Sequence, residues 1–321
     1  MKLKIAFSLL CCTFALSTGP VQAAGYPDRP IRMIVPFAPG GGADITARII
    51  GEGLAKQLGQ PVIVDNRAGA GGAIGANAVV RSEPDGYTIL YTTPGQQITL
   101  PYLMKSLPYS PDDLKPVSQL ALVPSVLVIN KNLPVKNVQE LIDLARKKPE
   151  QIHFGSAGIG ASSHLNGELL QSIARIKLVH VPYKGTSEES RDLIAGHIEM
   201  AIDTIGVYLP QIQAGTVIPL GVTTPEPVSL LPGVPSIAAT LPGYDPSPIN
   251  YLTVPAKTPD NIVQILSKAV NKTVQDPDVQ KKLLDQAILA RANTPEEMAA
   301  LVKSEQVKWK KVIDEAGIQP Q

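Results

Sequence analysis

Apolar residues along the chain switch between two spacings. Short β-rich runs are each followed by a stretch in which apolar side chains recur every three or four residues, an order that builds sheets covered by helices. Residues 31–37 predict a first strand, which leads through Pro39-Gly40-Gly41-Gly42-Ala43-Asp44 into a helix. That helix carries Ile45, Ile49, Ile50, Leu54 and Leu58 at helical spacing and is stopped by Gly59. Residues 62–64 repeat the unit through Asn66-Arg67-Ala68-Gly69-Ala70-Gly71-Gly72 and a helix around 74–80. After a turn at Asp85-Gly86, a third strand over 87–91 ends in Thr92-Thr93-Pro94-Gly95.

The pattern breaks near residues 120–124 and restarts as a strand over 126–130. Asn137 and Glu140 have the spacing of a capping box and open a helix to Arg146. A strand over 152–155 runs into Ser156-Ala157-Gly158-Ile159-Gly160-Ala161-Ser162-Ser163-His164, after which Leu165, Leu169 and Ile173 share one helical face. Strands over 178–183 and 199–203, each followed by a helix, and a strand over 217–222 complete this second set. Residues 251–254 read as a return crossing. Three helices end the chain, two of them opened by Thr258-Pro259-Asp260 and by Thr294-Pro295-Glu296-Glu297, with proline at the first helical position. The expectation is an α/β protein of two βα lobes joined by two crossover strands, with a ligand cleft between them. Domain 1 comprises 24–124 plus 250–321, and domain 2 comprises 125–249.

The N-terminus changes where this protein is expected to work. Lys2 and Lys4 precede an apolar run over 5–16 and the small-residue end Val21-Gln22-Ala23-Ala24, the order of a secretory signal peptide over 1–23. The run is shorter than the roughly 20 apolar residues a membrane-spanning helix needs. Both cysteines, Cys11 and Cys12, lie in that segment, so the exported chain has none for a disulfide or a thiolate-bound metal. Leu10 stands where a lipoprotein would carry a small residue before its cysteine. Losing Lys2 and Lys4 turns 29 basic residues into 27 against 28 acidic ones, a balance of −1 that argues against a nucleic-acid surface. Roughly 300 residues remain, enough for two cores.

Candidate chemistry concentrates in the glycine-rich turns at Gly40–Gly42 and at 155–160, one in each half. Such strand-to-helix turns present free N–H groups and the positive end of a helix dipole to an anion. The alternative is that the glycines serve only tight packing of helix on strand. Nucleotide fingerprints are incomplete: Ile74 and Ser163 occupy the third-glycine positions of the two G-x-G runs, and no G-x-x-x-x-G-K-[ST] is present. His153, His164, His180 and His197 have no close metal spacing, and G-x-S-x-G is absent, so Ser162-Ser163-His164 reads as a capped helix start braced by His164. No metal or cofactor is expected. Asp44 is either a dipole partner of its helix or a cleft residue. Asp203 closes a strand where it can accept a hydrogen bond from a ligand hydroxyl or amine. Lys184 ends another strand, as a cation for a second carboxylate or as a solvated lysine.

These residues resemble the Bug-type (TctC-like) periplasmic solute-binding receptors of tripartite tricarboxylate transporters over essentially the whole mature chain. The resemblance rests on Val35-Pro36-Phe37-Ala38-Pro39-Gly40-Gly41-Gly42-Ala43-Asp44, on the runs 66–72 and 155–165, and on Val181-Pro182-Tyr183-Lys184-Gly185 and Pro255-Ala256-Lys257-Thr258-Pro259. It implies a two-domain periplasmic-binding-protein fold of type II that captures a small carboxylate by lobe closure. It assigns Phe37, Ala38, Gly41 and Asp44 to one side of the ligand, Ser156, Ala157, Gly158 and Ser162 to the other, and Thr93 and Asp203 to the remaining wall. The partners it implies are the carboxylate and the transporter's membrane subunits, with the receptor a monomer in the periplasm. Many relatives carry a Trp-x-Gly-like start to the return strand where this chain has Asn250-Tyr251-Leu252, which weakens any transfer of ligand identity. A ligand-presenting sensor and an exported enzyme on the same fold remain the alternatives.

Overall fold

A computed structural model describes residues 25–183, 185–246 and 249–320. The leader expected over 1–23 and the candidate site residue Lys184 lie outside the described residues. The first half opens with strand β1 (Ile31–Val35), helix α1 (Gly42–Leu58), β2 (Val62–Asn66), α2 (Ala73–Val80) and β3 (Thr88–Thr92). Gly59 stops α1 in the left-handed conformation at φ 68°. A short helix α3 (Leu100–Leu103) precedes β4 (Leu114–Leu122).

The chain then enters the second half as β5 (Ser125–Asn130), α4 (Val138–Lys147), β6 (His153–Ser156), α5 (Ser162–Ala174), β7 (Val179–Pro182), α6 (Thr186–Ala195), β8 (Met200–Thr204), α7 (Ile205–Gln213), β9 (Val217–Val222) and the short α8 (Ile237–Thr240). It returns through β10 (Ile249–Pro255) and ends in α9 (Asp260–Gln275), α10 (Pro277–Leu284), β11 (Leu289–Ala290) and α11 (Pro295–Glu315).

Two sheets result, one of six strands in the order β11-β4-β10-β3-β1-β2 and one of five in the order β7-β6-β8-β5-β9. β1 runs parallel to β2 and β3, and β6 parallel to β7 and β8, as helix-linked units require. The crossing strands are antiparallel to their neighbours: β10 against β3 and β4, β5 against β8 and β9. The sheets are therefore mixed where the βα pattern alone predicts parallel pairing. β4 and β10, the strands leading out of and back into the first sheet, lie side by side with Leu122 opposite Ile249.

The first sheet packs its apolar faces on α1 and α9, with Ile31, Met33, Ile50, Leu54, Leu252 and Leu266 fully buried. The second buries Leu127, Ile129, Phe154 and Met200 against α4 and α5 on one face, and Val126, Val128 and Tyr208 on the other. α11 belongs to both halves. Its Met298, Val302, Trp309 and Ile313 join the cluster that contains Leu165 and Leu169 of α5, and Ser172 Oγ donates to Glu315 Oε2 at 2.7 Å.

β4 has no strand signature in the hydrophobic pattern, because Pro116, Ser118 and Gln119 interrupt it. Those polar groups find partners far along the chain: Ser118 Oγ donates to Asn293 O (2.7 Å) and Gln119 N to Asn293 Oδ1 (2.8 Å). Thr294 caps α11 in a full capping box with Glu297. At Asn137 half of the box forms: Asn137 Oδ1 accepts from Glu140 N, while Glu140 reaches past it to Lys136 N. Thr258 does not cap α9. Pro259 holds that position, and the Thr258 hydroxyl is buried without a partner among the described residues. No helix among the described residues is long and apolar enough to cross a membrane.

Candidate functional site

A cleft of about 1060 Å³ opens between the two sheets, walled by the loops at the carboxyl ends of β1, β3, β6, β7 and β8. Ligands of open α/β sheets bind at this edge, where strands hand over to helices. Of the residues singled out from the sequence, Phe37, Gly41, Thr93, Ser162 and Asp203 line the cleft. Ala38, Asp44, Ser156, Ala157 and Gly158 are not among its lining residues.

Asp44 is 3% exposed and fully engaged behind the first loop. Its Oδ2 accepts from Gly40 N (2.9 Å) and Arg48 Nε (3.0 Å), and its Oδ1 accepts from Asn66 Nδ2 (2.9 Å). Asn66 Nδ2 also donates to Phe37 O at 3.1 Å, so one carboxylate and one amide fix the chain on both sides of the Pro39-Gly40 turn. The Arg48 guanidinium, and after it the bonds from Gly40 and Asn66, hold the Asp44 carboxyl down to about 2. A carboxyl held below its ordinary value stabilises the fold above that ordinary value, and the contribution is lost as pH falls through about 2. Asp44→Asn is therefore expected to cost roughly 1–2 kcal/mol at pH 7, after discount for the half-exposed Arg48, and to loosen the loop. Urea unfolding at pH 7 measures the first effect, and amide exchange at Gly40–Gly42 the second.

The second loop is held in a comparable way. Ala157 N donates to Ser163 Oγ (2.9 Å), Gly158 N to Ser156 Oγ (3.2 Å) and Gly160 N to His164 Nδ1 (3.1 Å). Accepting at Nδ1 places the His164 ring proton on Nε2, which faces Glu168 Oε1 at 3.5 Å. His164 stacks on His180 with ring centres 3.9 Å apart, and His180 Nε2 lies 2.6 Å from Ser156 Oγ. Burial, and then the neighbouring His164, hold His180 down to about 4, so it is neutral at physiological pH. The serines do not cap α5: Ala161 is its N-cap, and Ser163 serves the loop. Ser156 is completely buried, so its contact with His180 braces the loop out of reach of a ligand.

What the cleft offers an anion is backbone. α1, α5, α6 and α7 begin at its edge, and none of their N-cap residues, Gly41, Ala161, Gly185 and Thr204, uses a side-chain cap. Of the helices that start away from the cleft, α4, α8, α10 and α11 are capped by Asn137, Ser236, Asp276 and Thr294, whereas α2, α3 and α9 have no side-chain cap. Uncapped first-turn N–H groups and the aligned helix dipoles leave four positive ends facing one space, two elements of chemistry that suit a carboxylate. No Lys, Arg or His occurs among the described lining residues, whereas Glu188, Asp203 and Asp285 do. Ile45, Val123, Leu165, Val207 and Trp309 supply apolar wall.

Sequence patterns missed several lining residues. Thr186 and Ser187 stand at a strand-to-helix turn, the same signal that drew attention to Gly41. Residues 285–288 arrive from the distant α10–β11 link, and nothing local marks them, whereas Asn250, at the start of the return strand where this chain departs from many relatives, also lines the cleft. No cluster of metal-ligating side chains occurs among the described residues.

The family profile described as "Tripartite tricarboxylate transporter family receptor" matches residues 46–318. The chain is similar to a Pseudomonas sp. (strain P51) protein described as "UPF0065 protein in tcbD-tcbE intergenic region", 39% identical over 302 residues that cover 93% of this chain and 90% of that one. Among solved structures it is similar to R. palustris Rpa4515 with adipate (34% identity, TM-score 0.80, 92% of this chain and 100% of that one). It is also similar to the periplasmic binding protein BugD (33% identity, TM-score 0.77, 92% and 100%). The two-lobed α/β periplasmic-binding-protein fold is common to them. This chain belongs to the tripartite tricarboxylate transporter receptor family of Bug-type solute-binding proteins.

Proposed function

We propose that this protein captures a small carboxylate between its lobes and delivers it to the membrane subunits of a tripartite tricarboxylate transporter. The observation that carries the reading is the set of four uncapped helix N-termini, contributed by both lobes, around a cleft without a basic side chain among its described lining residues. A carboxylate that engages α1 from one lobe and α5 or α6 from the other gains contacts only when the lobes approach, so binding energy drives closure. The signal-peptide pattern over 1–23 supports capture in the periplasm, by a monomer free to diffuse to its membrane partner. Nothing in the mechanism calls for a covalent step or a cofactor.

The test is a thermal-shift panel on residues 24–321, refolded to remove any carried ligand, with mono-, di- and tricarboxylates that include adipate. A ligand of the native state at 100 times its Kd adds about 2.7 kcal/mol, a rise of several degrees in Tm. Trp309, the chain's single tryptophan, lines the cleft, so its fluorescence gives an independent titration of the same acids. A saturable response to at least one acid, without turnover, is expected. A cooperative melt indifferent to every acid would remove the receptor reading.

A further inference from the structure

Beneath the cleft wall a second carboxyl group backs Asp203. Glu189 of α6 is fully buried, and its carboxyl bears electrostatically on that of Asp203, which is 6% exposed and lines the cleft. Tyr208 OH donates to Glu189 Oε1 at 2.8 Å, while Glu189 Oε2 is buried with no donor among the described residues. Two buried carboxyls in contact share a site that admits one charge, because the second would be desolvated next to a like charge. The donors show which group ionises. Asp203 Oδ1 accepts from Thr204 N (2.6 Å), and Oδ2 accepts from Thr186 Oγ1 (2.9 Å). Among the described residues the one donor to Glu189, Tyr208 OH, is at Oε1, so the proton belongs on Oε2, where it becomes the donor to Asp203.

We propose that Glu189 and Asp203 hold one proton between them, on Glu189. The charge left on Asp203 then faces the cleft as acceptor for an N–H or O–H group on the ligand. The site is thereby built for a carboxylate that also bears an amino or hydroxyl group, in preference to the same acid without it. This rests on the receptor reading above and narrows it.

The arrangement gives the cleft two unlike ends. Helix N-termini take the ligand carboxylate, and a second ligand carboxylate placed at Asp203 would meet a negative charge. An ammonium or hydroxyl placed there completes the unfilled lone-pair directions of Asp203. Among the described residues, the other charged or titratable groups that bear on the pair are Tyr208 from α7 and Tyr183 just after β7, with Glu188 and Asp285 lining the same cleft. None of these side chains is basic, so none of them offers a partner to a second anion.

The test uses matched acids on the full mature chain by isothermal titration at pH 7. Succinate, malate and aspartate form one series, glutarate, 2-hydroxyglutarate and glutamate a second, and adipate with its 2-hydroxy and 2-amino forms a third. In the series that binds, the hydroxy or amino acid is expected to bind at least tenfold tighter than its parent. Asp203→Asn, which removes the charge, is expected to erase that difference. Because Asp203→Asn also disturbs the buried bonds from Thr204 N and Thr186 Oγ1, the wild-type comparison stands alone: a parent acid that binds as well as its substituted forms overturns this inference and leaves the receptor reading intact. Binding of none of the nine acids to a protein that melts cooperatively counts against both. The proton is read separately by infrared difference spectroscopy of the free protein, in which a protonated-carboxyl carbonyl band present at pH 7 is expected to disappear in Glu189→Gln. Its absence from the wild type would overturn the shared-proton arrangement.

Discussion

Glu189→Gln is expected to stabilise the protein at pH 7 by about 3 kcal/mol and to flatten the fall of its stability between about pH 5 and 9. Burial, and then the neighbouring Asp203, push the Glu189 carboxyl from its ordinary 4.5 up to about 9. Between those values the folded protein keeps a proton that the unfolded chain has released. A group raised in this way contributes its full stability below about 4.5, and the contribution is lost as pH rises towards 9, at about 1.4 kcal/mol per pH unit. Glutamine reproduces the protonated carboxyl: its amide NH2 donates to Asp203 and its oxygen accepts from Tyr208 OH, with no proton to be retained. Urea denaturation at half-unit steps from pH 5 to 9 compares the two proteins. Parallel pH profiles, or a variant less stable than wild type at pH 8, would mean that the buried pair is not protonated as its contacts require.

Gly41→Leu is expected to weaken carboxylate binding at least 100-fold while leaving the empty protein stable. Gly41 is the N-cap of α1 at φ −82° and ψ 168°, a backbone open to any L-residue. A Cβ there would touch only Ala38 O, at 3.7 Å, so the added side chain extends over the first N–H groups of α1. Leucine is a poorer N-cap than glycine, which costs no more than about 1 kcal/mol. Trp309 fluorescence titration with the tightest acid of the panel measures the loss, and a thermal melt without ligand checks the fold. Undiminished affinity would move the carboxylate away from the α1 terminus. Gly75 shows how different a packing glycine is: a Cβ there would lie 2.9 Å from Pro36 Cα and 3.0 Å from Arg67 O, where α2 crosses the end of β1.

Much of the architecture was legible because it depends on periodicity. α1 begins and ends where its apolar spacing, its glycine run and Gly59 say it does, and Thr294-Pro295 opens α11 through the box its sequence spells. β5, β8 and β9 were readable as apolar runs, but their antiparallel pairing was not, since a strand's neighbours depend on which way the chain returns. β4 was hidden because its buried Ser118 and Gln119 look like a loop until Asn293, some 170 residues on, supplies their hydrogen bonds. The candidate site divided in the same way. Gly41 and Ser162 were marked by their place at strand-to-helix turns, whereas Asp44, in the same motif as Gly41, is turned away from the cleft by Arg48 and Asn66.

The sequence by itself determined the alternation of strands and helices, the family and the glycine turns at the strand ends, because each is encoded in neighbours a few residues apart. Only the tertiary structure decided which helix N-termini face one space and that Asp44 serves its loop. The same holds for Glu189, an acid in an ordinary-looking helix, which lies in the dark against Asp203. Burial and the pairing of charges depend on residues brought together from distant parts of the chain, and the free energy of an ionisable group follows the water and the partners around it.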